Sequence, residues 1–405
     1  MKQKTDFLII GSGIVGMALA SELLASMPSL SIILIDKEDD VALHASGRNS
    51  GVLHAGFYYA ADSLKARFTR EGNQAMRTFC RENNLPVNAC GKVVVATREE
   101  EVEGLLELEK RGHHNSVAVS LVDEVELAEI EPNARTVHRA LYSPSTASID
   151  PTQVCLCLRD LLRRQGVVFH FQQAYRRRKG DNAIETSSGL VIEFGSLINA
   201  AGLYADRIAK EFGHGLQYRI LPFKGIYLAY SGSTPPLRTN VYPVPDLRNP
   251  FLGVHFTLTC DGRVKIGPTA IPALWRENYH GLEGFKLDEF LEIIVQEVRL
   301  FRADAFGFRA LALEEVKKIR RRYLIASAAR LVKRLEPDWF RHWTRPGIRA
   351  QLLDMEKMKL VQDFVIEADH NSVHILNAVS PAFTCAFPFA AWVIRKYVLG
   401  GRDDD

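Results

Sequence analysis

Gly11-x-Gly13-x-x-Gly16 constrains the fold of this chain more than any other stretch, because of what flanks it. Phe7-Leu8-Ile9-Ile10 before it is an apolar run of strand length. Met17-Ala18-Leu19-Ala20-Ser21-Glu22-Leu23-Leu24 after it is helix-forming, and Ser31-Ile32-Ile33-Leu34-Ile35 reads as a second strand that Asp36 ends. Strand, glycine turn, helix and strand make a βαβ unit. The acidic residue stands about twenty residues beyond the last glycine, which completes a dinucleotide-binding fingerprint. Gly11 permits the tight turn, Gly13 lets backbone approach a pyrophosphate, and Gly16 lets the helix pack on the strand. Ile14 and Val15 open the helix, whose free N–H groups and positive dipole end suit phosphate. Asp36, with Lys37 beside it, is placed to accept from ribose hydroxyls.

The fingerprint does not choose between NAD and FAD. The segment His44-Ala45-Ser46-Gly47-Arg48-Asn49-Ser50-Gly51-Val52-Leu53-His54-Ala55-Gly56 tips it, because Ser46, Arg48, Asn49, Ser50 and Gly51 present hydroxyls, amides and backbone N–H groups along a loop. Ala200-Ala201-Gly202 follows an apolar strand with the smallest side chains available, as wanted where backbone must approach a cofactor. Near the C-terminus Val373-His374-Ile375-Leu376 reads as a strand, and Ser380 and Pro381 as N-cap and N1 of a helix that continues through Ala382. Such an N-terminus stabilises negative charge on a reduced flavin.

Composition narrows the alternatives. At 405 residues, 47% hydrophobic and 9% aromatic, the chain holds two or three cores and is not largely disordered. A formal charge of +3 makes no case for a nucleic-acid partner. Two basic runs, Arg176-Arg177-Arg178-Lys179 and Lys317-Lys318-Ile319-Arg320-Arg321-Arg322, lack interleaved aromatics but are of a kind that favours anionic surfaces. Six Cys with no C-x-x-C pair point to a reducing compartment, and no signal peptide is visible. The uncharged stretch 371–394 contains Pro381 and Pro388 and reads as a buried strand and helix rather than a bilayer span. No metal ligand set is expected.

Helices are expected over about 63–85, 98–112 and 153–165, with strands at 92–96, 167–171, 190–194 and 197–199. Residues 221–272 are rich in β-branched and aromatic side chains broken by Gly and Pro, which predicts an antiparallel sheet. A polar helical stretch follows over about 286–335.

The chain resembles the FAD-dependent L-2-hydroxyglutarate dehydrogenase/oxidase family, within the D-amino-acid-oxidase-like and glycine-oxidase-like flavoenzymes. The likeness is carried by Gly11 to Gly16, by the block from Asn49 to Tyr59 with Ser63-Leu64-Lys65-Ala66, and by Cys90-Gly91-Lys92. It continues through Ala201-Gly202-Leu203-Tyr204-Ala205-Asp206-Arg207, Pro222-Phe223-Lys224-Gly225, Tyr242-Pro243-Val244-Pro245-Asp246 and Pro250-Phe251-Leu252-Gly253-Val254-His255. Gly267-Pro268, Gly347-Ile348-Arg349-Ala350-Gln351 and Ser380-Pro381-Ala382 complete it.

The resemblance implies an α/β architecture: a Rossmann-like FAD-binding domain over 1–84, 146–220 and 336–400, and an α+β substrate domain on a mainly antiparallel sheet over 85–145 and 221–335. It implies oxidation of a small anionic 2-hydroxy acid, L-2-hydroxyglutarate, with hydride passing to the flavin and electrons leaving to a membrane quinone, another acceptor or oxygen. The implied site is cytoplasmic, with peripheral contact at the inner membrane. The base should titrate near neutrality, which favours histidine; His54 and His255 are the candidates, with Arg349 the third catalytic one. Tyr58, Tyr59, Lys65, Lys224 and Arg276 are the candidates for holding substrate.

The chain departs from the family at Thr269, where Asn is usual, at Ile226, where an acid is usual, and at Leu376 and Val379. Those departures leave oxidation of another 2-hydroxy acid or an amino acid as the alternative. A flavin-dependent tRNA-modifying protein and an inert nucleotide-binding module are the more distant readings.

Overall fold

The computed structural model describes residues 2–232, 234–246, 253–304, 307–378 and 380–401. The chain divides into two compact units. One comprises Met1–Asn49, Pro151–Leu221 and Arg349–Asp405, the other Ser50–Asp150 and Pro222–Ile348.

The first unit is built on parallel strands in the spatial order Ser372–Asn377, Val191–Asn199, Lys2–Ile10, Ile32–Ile35, Val168–His170. Its central strands are apolar on both faces, as a parallel sheet covered on both sides requires. Three antiparallel strands, Tyr175–Arg178, Ala183–Thr186 and Val365–Ala368, extend it. The helix Ile14–Ser26 packs against the helix Ala382–Val393, and both expose little but small or apolar side chains to each other. The uncharged stretch near the C-terminus is thus a buried strand and a buried helix. Among the described residues no helix is long and apolar enough to cross a membrane.

The second unit holds a sheet ordered Phe340–Trp343, Leu228–Tyr230, Val264–Gly267, His255–Leu258, Asn240–Pro243, Lys92–Val95, Arg139–Ser143, Ser120–Asp123. Among the described residues every pairing in it is antiparallel except that of Asn240–Pro243 with Lys92–Val95. Side chains alternate across a strand, and the register turns that rule into two unlike faces. Val93, Val95, Val241, Phe256, Leu258, Val264 and Ile266 form one core with Leu324, Ile325 and Ala328 of the helix Arg321–Ala329. The opposite face carries Lys92, Val94, Tyr242, His255, Thr257 and Lys265. Ala55, Phe57 and Tyr58 cover part of that face with Leu105 and Leu108 of the helix Val102–His114. A one-residue slip would drive the Lys92 amine into the apolar core, so the register is strongly specified.

Several expectations are corrected. Residues 50–84 belong to the second unit, not the first, because the strand Val52–Leu53 pairs with Ala147–Ile149 and Asn73 on the helix Leu64–Glu82 bonds carbonyls of that unit. Residues 336–348 also belong there, because Phe340–Trp343 adds to the edge of its sheet. The two strands expected over 190–194 and 197–199 are one, Val191–Asn199, whose pairing with Lys2–Ile10 keeps the same register on both sides of Gly195. The polar helical stretch expected over about 286–335 comprises the helices Leu287–Ala303, Phe308–Lys317 and Arg321–Ala329. The first helical residue near the C-terminus is Ala382, so Pro381 and not Ser380 stands at the N-cap.

Candidate functional site

The strand Lys2–Ile10 delivers the chain to the glycine turn at the C-terminal edge of the parallel sheet, beside the Ala200-Ala201 crossing. Gly11 has φ +100°, and a Cβ there would lie 2.5 Å from the Ala200 carbonyl oxygen. A Cβ on Gly16 would lie 2.0 Å from the Gly11 oxygen, and one on Gly13 would touch the Ser46 hydroxyl at 3.0 Å. The glycines therefore answer to close backbone approach. The helix opened here has thirteen residues and no acid in its own first turn, which suits a phosphate. Ser46 Oγ accepts from the Ile14 N–H at 2.9 Å, which fixes the 44–49 loop against the helix start. Arg48 Nε donates to the Leu43 carbonyl and Asn49 Nδ2 to those of Ala45 and Ser46, so both brace that loop from within.

Asp36 Oδ2 accepts from the Ser12 N–H at 2.8 Å and the Ser12 hydroxyl at 2.7 Å, while Oδ1 accepts from the Glu38 N–H. The carboxylate is thereby locked at the end of its strand. Lys37 and His44 both reach Glu38, and although burial pushes the Glu38 carboxyl up, these two partners hold it below its usual range. Across the sheet, Asn199 is fully buried. Its Oδ1 accepts from Ala201 N–H, and its Nδ2 donates to the Ala205 carbonyl and to His374 Nδ1. Gly202, at φ +54°, has open space where a side chain would be. This cradle of small residues and backbone donors fits an FAD pyrophosphate and ribose.

The second unit supplies a buried polar cluster. His54 is held by the segment around it: Asn73 Nδ2 donates to the carbonyls of Leu53, His54 and Ser145, and Asn115 Nδ2 to those of Gly56 and Tyr59. Arg111 adds a bond to the Tyr58 carbonyl. Tyr58 is buried, which pushes its phenol well above the usual range. His255 stacks on Tyr242 with ring centroids 3.7 Å apart and planes 15° apart. Its Nδ1 lies 2.9 Å from the Gly253 carbonyl, so Nδ1 carries the proton and Nε2 keeps its lone pair. Burial, reinforced by Lys92, pushes His255 well below its ordinary pKa, and the ring is neutral.

The remaining expected residues scatter. Lys224 Nζ donates to Asn278 Oδ1 at 3.2 Å, and burial lowers its pKa. Lys65 lies over the Tyr59 ring at 5.9 Å. Arg276 is fully buried with Glu292 at 3.6 Å, and its own N–H donates to Glu289. Arg349 is half-buried on the strand Gly347–Asp354, at the residue where the first unit resumes. In the second unit, Ser50 Oγ accepts from Val52 N–H and the Gly51 carbonyl from Ile149 N–H. Of the departures, Thr269 Oγ1 accepts from Ile226 N–H at 3.1 Å and donates to the Lys224 carbonyl at 3.0 Å. Asn377 serves loop carbonyls of Val361 and Asp363. Val379, with Pro250, Phe251 and Leu252, lies outside the described residues. Sequence reasoning gave no role to Asn73 or Asn115, and Lys92 and Tyr242 stood only within family motifs, Cys90-Gly91-Lys92 and Tyr242-Pro243, without a part in the site.

The model of the FAD dependent oxidoreductase family matches residues 6–395. L-2-hydroxyglutarate dehydrogenase of Salmonella houtenae is 35% identical over 402 residues, covering 96% of this chain and 92% of that protein. The mitochondrial L-2-hydroxyglutarate dehydrogenase of Homo sapiens is 33% identical over 411 residues, covering 96% and 87%. Among solved structures, the dithionite-reduced L-α-glycerophosphate oxidase of Mycoplasma pneumoniae with FAD bound aligns with a TM-score of 0.73 at 22% identity, covering 98% of this chain and 95% of that one. Glycine oxidase of Geobacillus kaustophilus gives 0.71 at 16%, covering 99% and 96%. Glycine cradle, full-length match and shared fold agree: the chain belongs to the FAD dependent oxidoreductase family, and its cofactor is FAD.

Proposed function

We propose that the chain oxidises L-2-hydroxyglutarate to 2-oxoglutarate. The observation that carries this reading is the match, at 33–35% identity over 96% of the chain, to proteins named for that reaction. Bound FAD supplies the two-electron acceptor for the hydride leaving the α-carbon. The chain's residues do the rest. His255 Nε2, lone pair free because Nδ1–H is committed to Gly253, takes the hydroxyl proton as the carbonyl forms. His54 stands in the same buried segment as Tyr58, held by its asparagines. Within the second unit, Lys224, Lys65 and the phenols of Tyr58 and Tyr59 supply charge and donors for the carboxylates.

Anaerobic titration tests this. The yellow protein should bleach with L-2-hydroxyglutarate. Colour that persists with that acid and bleaches with glycine, sarcosine or L-lactate transfers the assignment to another 2-hydroxy acid or amino acid. The Thr269 to Ile226 hydrogen bond favours that second reading, because it stands where the resemblance leads one to expect an amide and an acid.

Electrons leave to a membrane quinone, with oxygen or a soluble acceptor as the alternative, and the chain works in the cytoplasm at the inner-membrane face. Support comes from the helix Leu287–Ala303, which leaves Leu287, Leu291, Val295, Val298 and Phe301 exposed, and from the neighbouring basic run. Neither basic run is free of carboxylates: Arg176, Arg177 and Lys179 pair with Glu185, and Lys317, Lys318 and Arg321 with Glu314, Glu315 and Asp338, so the exposed apolar helix carries most of the support. Flotation with anionic vesicles that salt reverses would support membrane contact, and no flotation at low salt would end it.

A further inference from the structure

We propose that Lys92 is a positioning residue for the oxidation: boxed by aromatic rings, its amine holds Tyr242 as the platform for His255 and places a cationic group one ring away from that imidazole. This rests on the reading of His255 as the base.

The strand order places Asn240–Pro243 between Lys92–Val95 and His255–Leu258, so Tyr242 stands between the lysine and the histidine on one face of the sheet. Lys92 Nζ is 4.1 Å from the Tyr242 ring centroid, 5.0 Å from that of Tyr58 and 5.7 Å from that of Phe57. The side chain is 0% exposed, and its Nζ has no hydrogen-bond partner among the described residues. An amine buried without a carboxylate is costly, and its ordinary compensation here is the three ring faces. Burial draws Lys92 down to about 7, against which Cys90 acts in the opposite direction. A partly charged amine this close opposes protonation of His255, as do Lys265, which lies over Tyr227, and Lys318, which is paired with Glu315. The His255 Nε2 lone pair is thereby free to accept the hydroxyl proton, and the depressed value is a departure from the near-neutral titration expected of the base.

Lys92→Met keeps the length of the side chain and removes the charge, and Lys92→Arg keeps the charge. Both are read in the FAD-loaded protein by the imidazole NMR titration of His255 and by the pH profile of kcat/KM. Lys92→Met should move the His255 titration and the acid limb of the profile upward together by about one pH unit, with KM changed less than kcat at the acid end. Lys92→Arg should leave both near wild type. An unshifted His255 titration in Lys92→Met overturns the proposal. So does a Lys92→Met that fails to fold, because a purely structural lysine would behave that way. Separately, a His255→Ala variant that turns over normally would defeat the reading of His255 as base, whatever the titration shows.

Discussion

Acid should loosen the cofactor cradle through one buried ring, His374. It is fully buried on the strand Ser372–Asn377, where Nδ1 accepts from Asn199 Nδ2 at 3.2 Å. Nε2 then carries the proton and donates to Ser372 Oγ at 3.0 Å, whose hydroxyl donates to Asp369 Oδ1. Every hydrogen-bonding site of the neutral ring is used, and a second proton would set Nδ1–H against the Asn199 amide. Burial, with His214 adding to it, pushes the group down to about 3. The folded value is depressed below the ordinary 6.5. The stability it contributes is therefore complete above pH 6.5 and lost as pH falls from there toward 3. At about 1.4 kcal/mol per pH unit, the loss between pH 6.5 and pH 5 is about 2 kcal/mol.

Because Asn199 also holds Ala201 and Ala205, that loss should appear as FAD release. Flavin fluorescence regained during urea unfolding at pH 7 and pH 5 measures it. His374→Gln supplies an acceptor and donors that do not titrate. Half-buried His170 and buried His255 are lowered too, so the comparison rather than the raw slope is diagnostic. Wild type should lose about 2 kcal/mol more than His374→Gln over that interval. Equal losses, or a His374 resonance titrating near 6.5, would refute the reasoning.

Gly16→Ala places a methyl 2.0 Å from backbone oxygen that cannot swing away, so the protein should purify colourless, with flavin absorbance per chain as the check. Ser46→Ala removes the acceptor on Ile14 N–H, worth about 1 kcal/mol at a helix start; the FAD dissociation constant should rise about fivefold by calorimetry. Asn73→Leu strips donors from the carbonyls of Leu53 and His54, while Arg77 keeps that of Ser145. It should cost about 2–4 kcal/mol in thermal unfolding and reduce turnover while leaving FAD content unchanged.

The cofactor cradle was legible because its determinants are local. Gly11 to Gly16 and Asp36 lie within one βαβ unit, where chain direction and spacing nearly dictate geometry. The role of Asp36 was only half legible: the carboxylate was placed for a ribose, and the structure adds its clamp on Ser12 from the same turn. The second unit was harder for a physical reason. Lys92-Val93-Val94-Val95-Ala96 reads as a strand, but its pattern does not say which side is core. The parallel partner Asn240–Pro243, far away in sequence, decides that. Lys92 thus looked like the start of a strand and is the most enclosed amine in the sheet. Likewise Asn73 and Asn115 act on carbonyls that only the folded chain brings near, and no motif marks them.

Contact also changes what the departures from the family mean. Thr269 and Ile226 are 43 residues apart and read in sequence as two independent changes. In the structure Thr269 Oγ1 takes the Ile226 N–H and gives its own proton to the Lys224 carbonyl, so the hydroxyl closes the turn that carries Lys224. An Asn at 269 could meet the same N–H only with its carbonyl, leaving its NH₂ group for an acid at 226. A chain with an aliphatic side chain at 226 offers that NH₂ no acid, and a hydroxyl removes the need for one. The two departures are therefore one exchange, and its consequence for substrate is read from the pair: Thr269→Asn alone leaves an amide donor unmatched, whereas Thr269→Asn with Ile226→Glu restores the match. If the exchange alters how Lys224 is presented, the double variant should change KM for the dicarboxylate while the single variant mainly lowers stability.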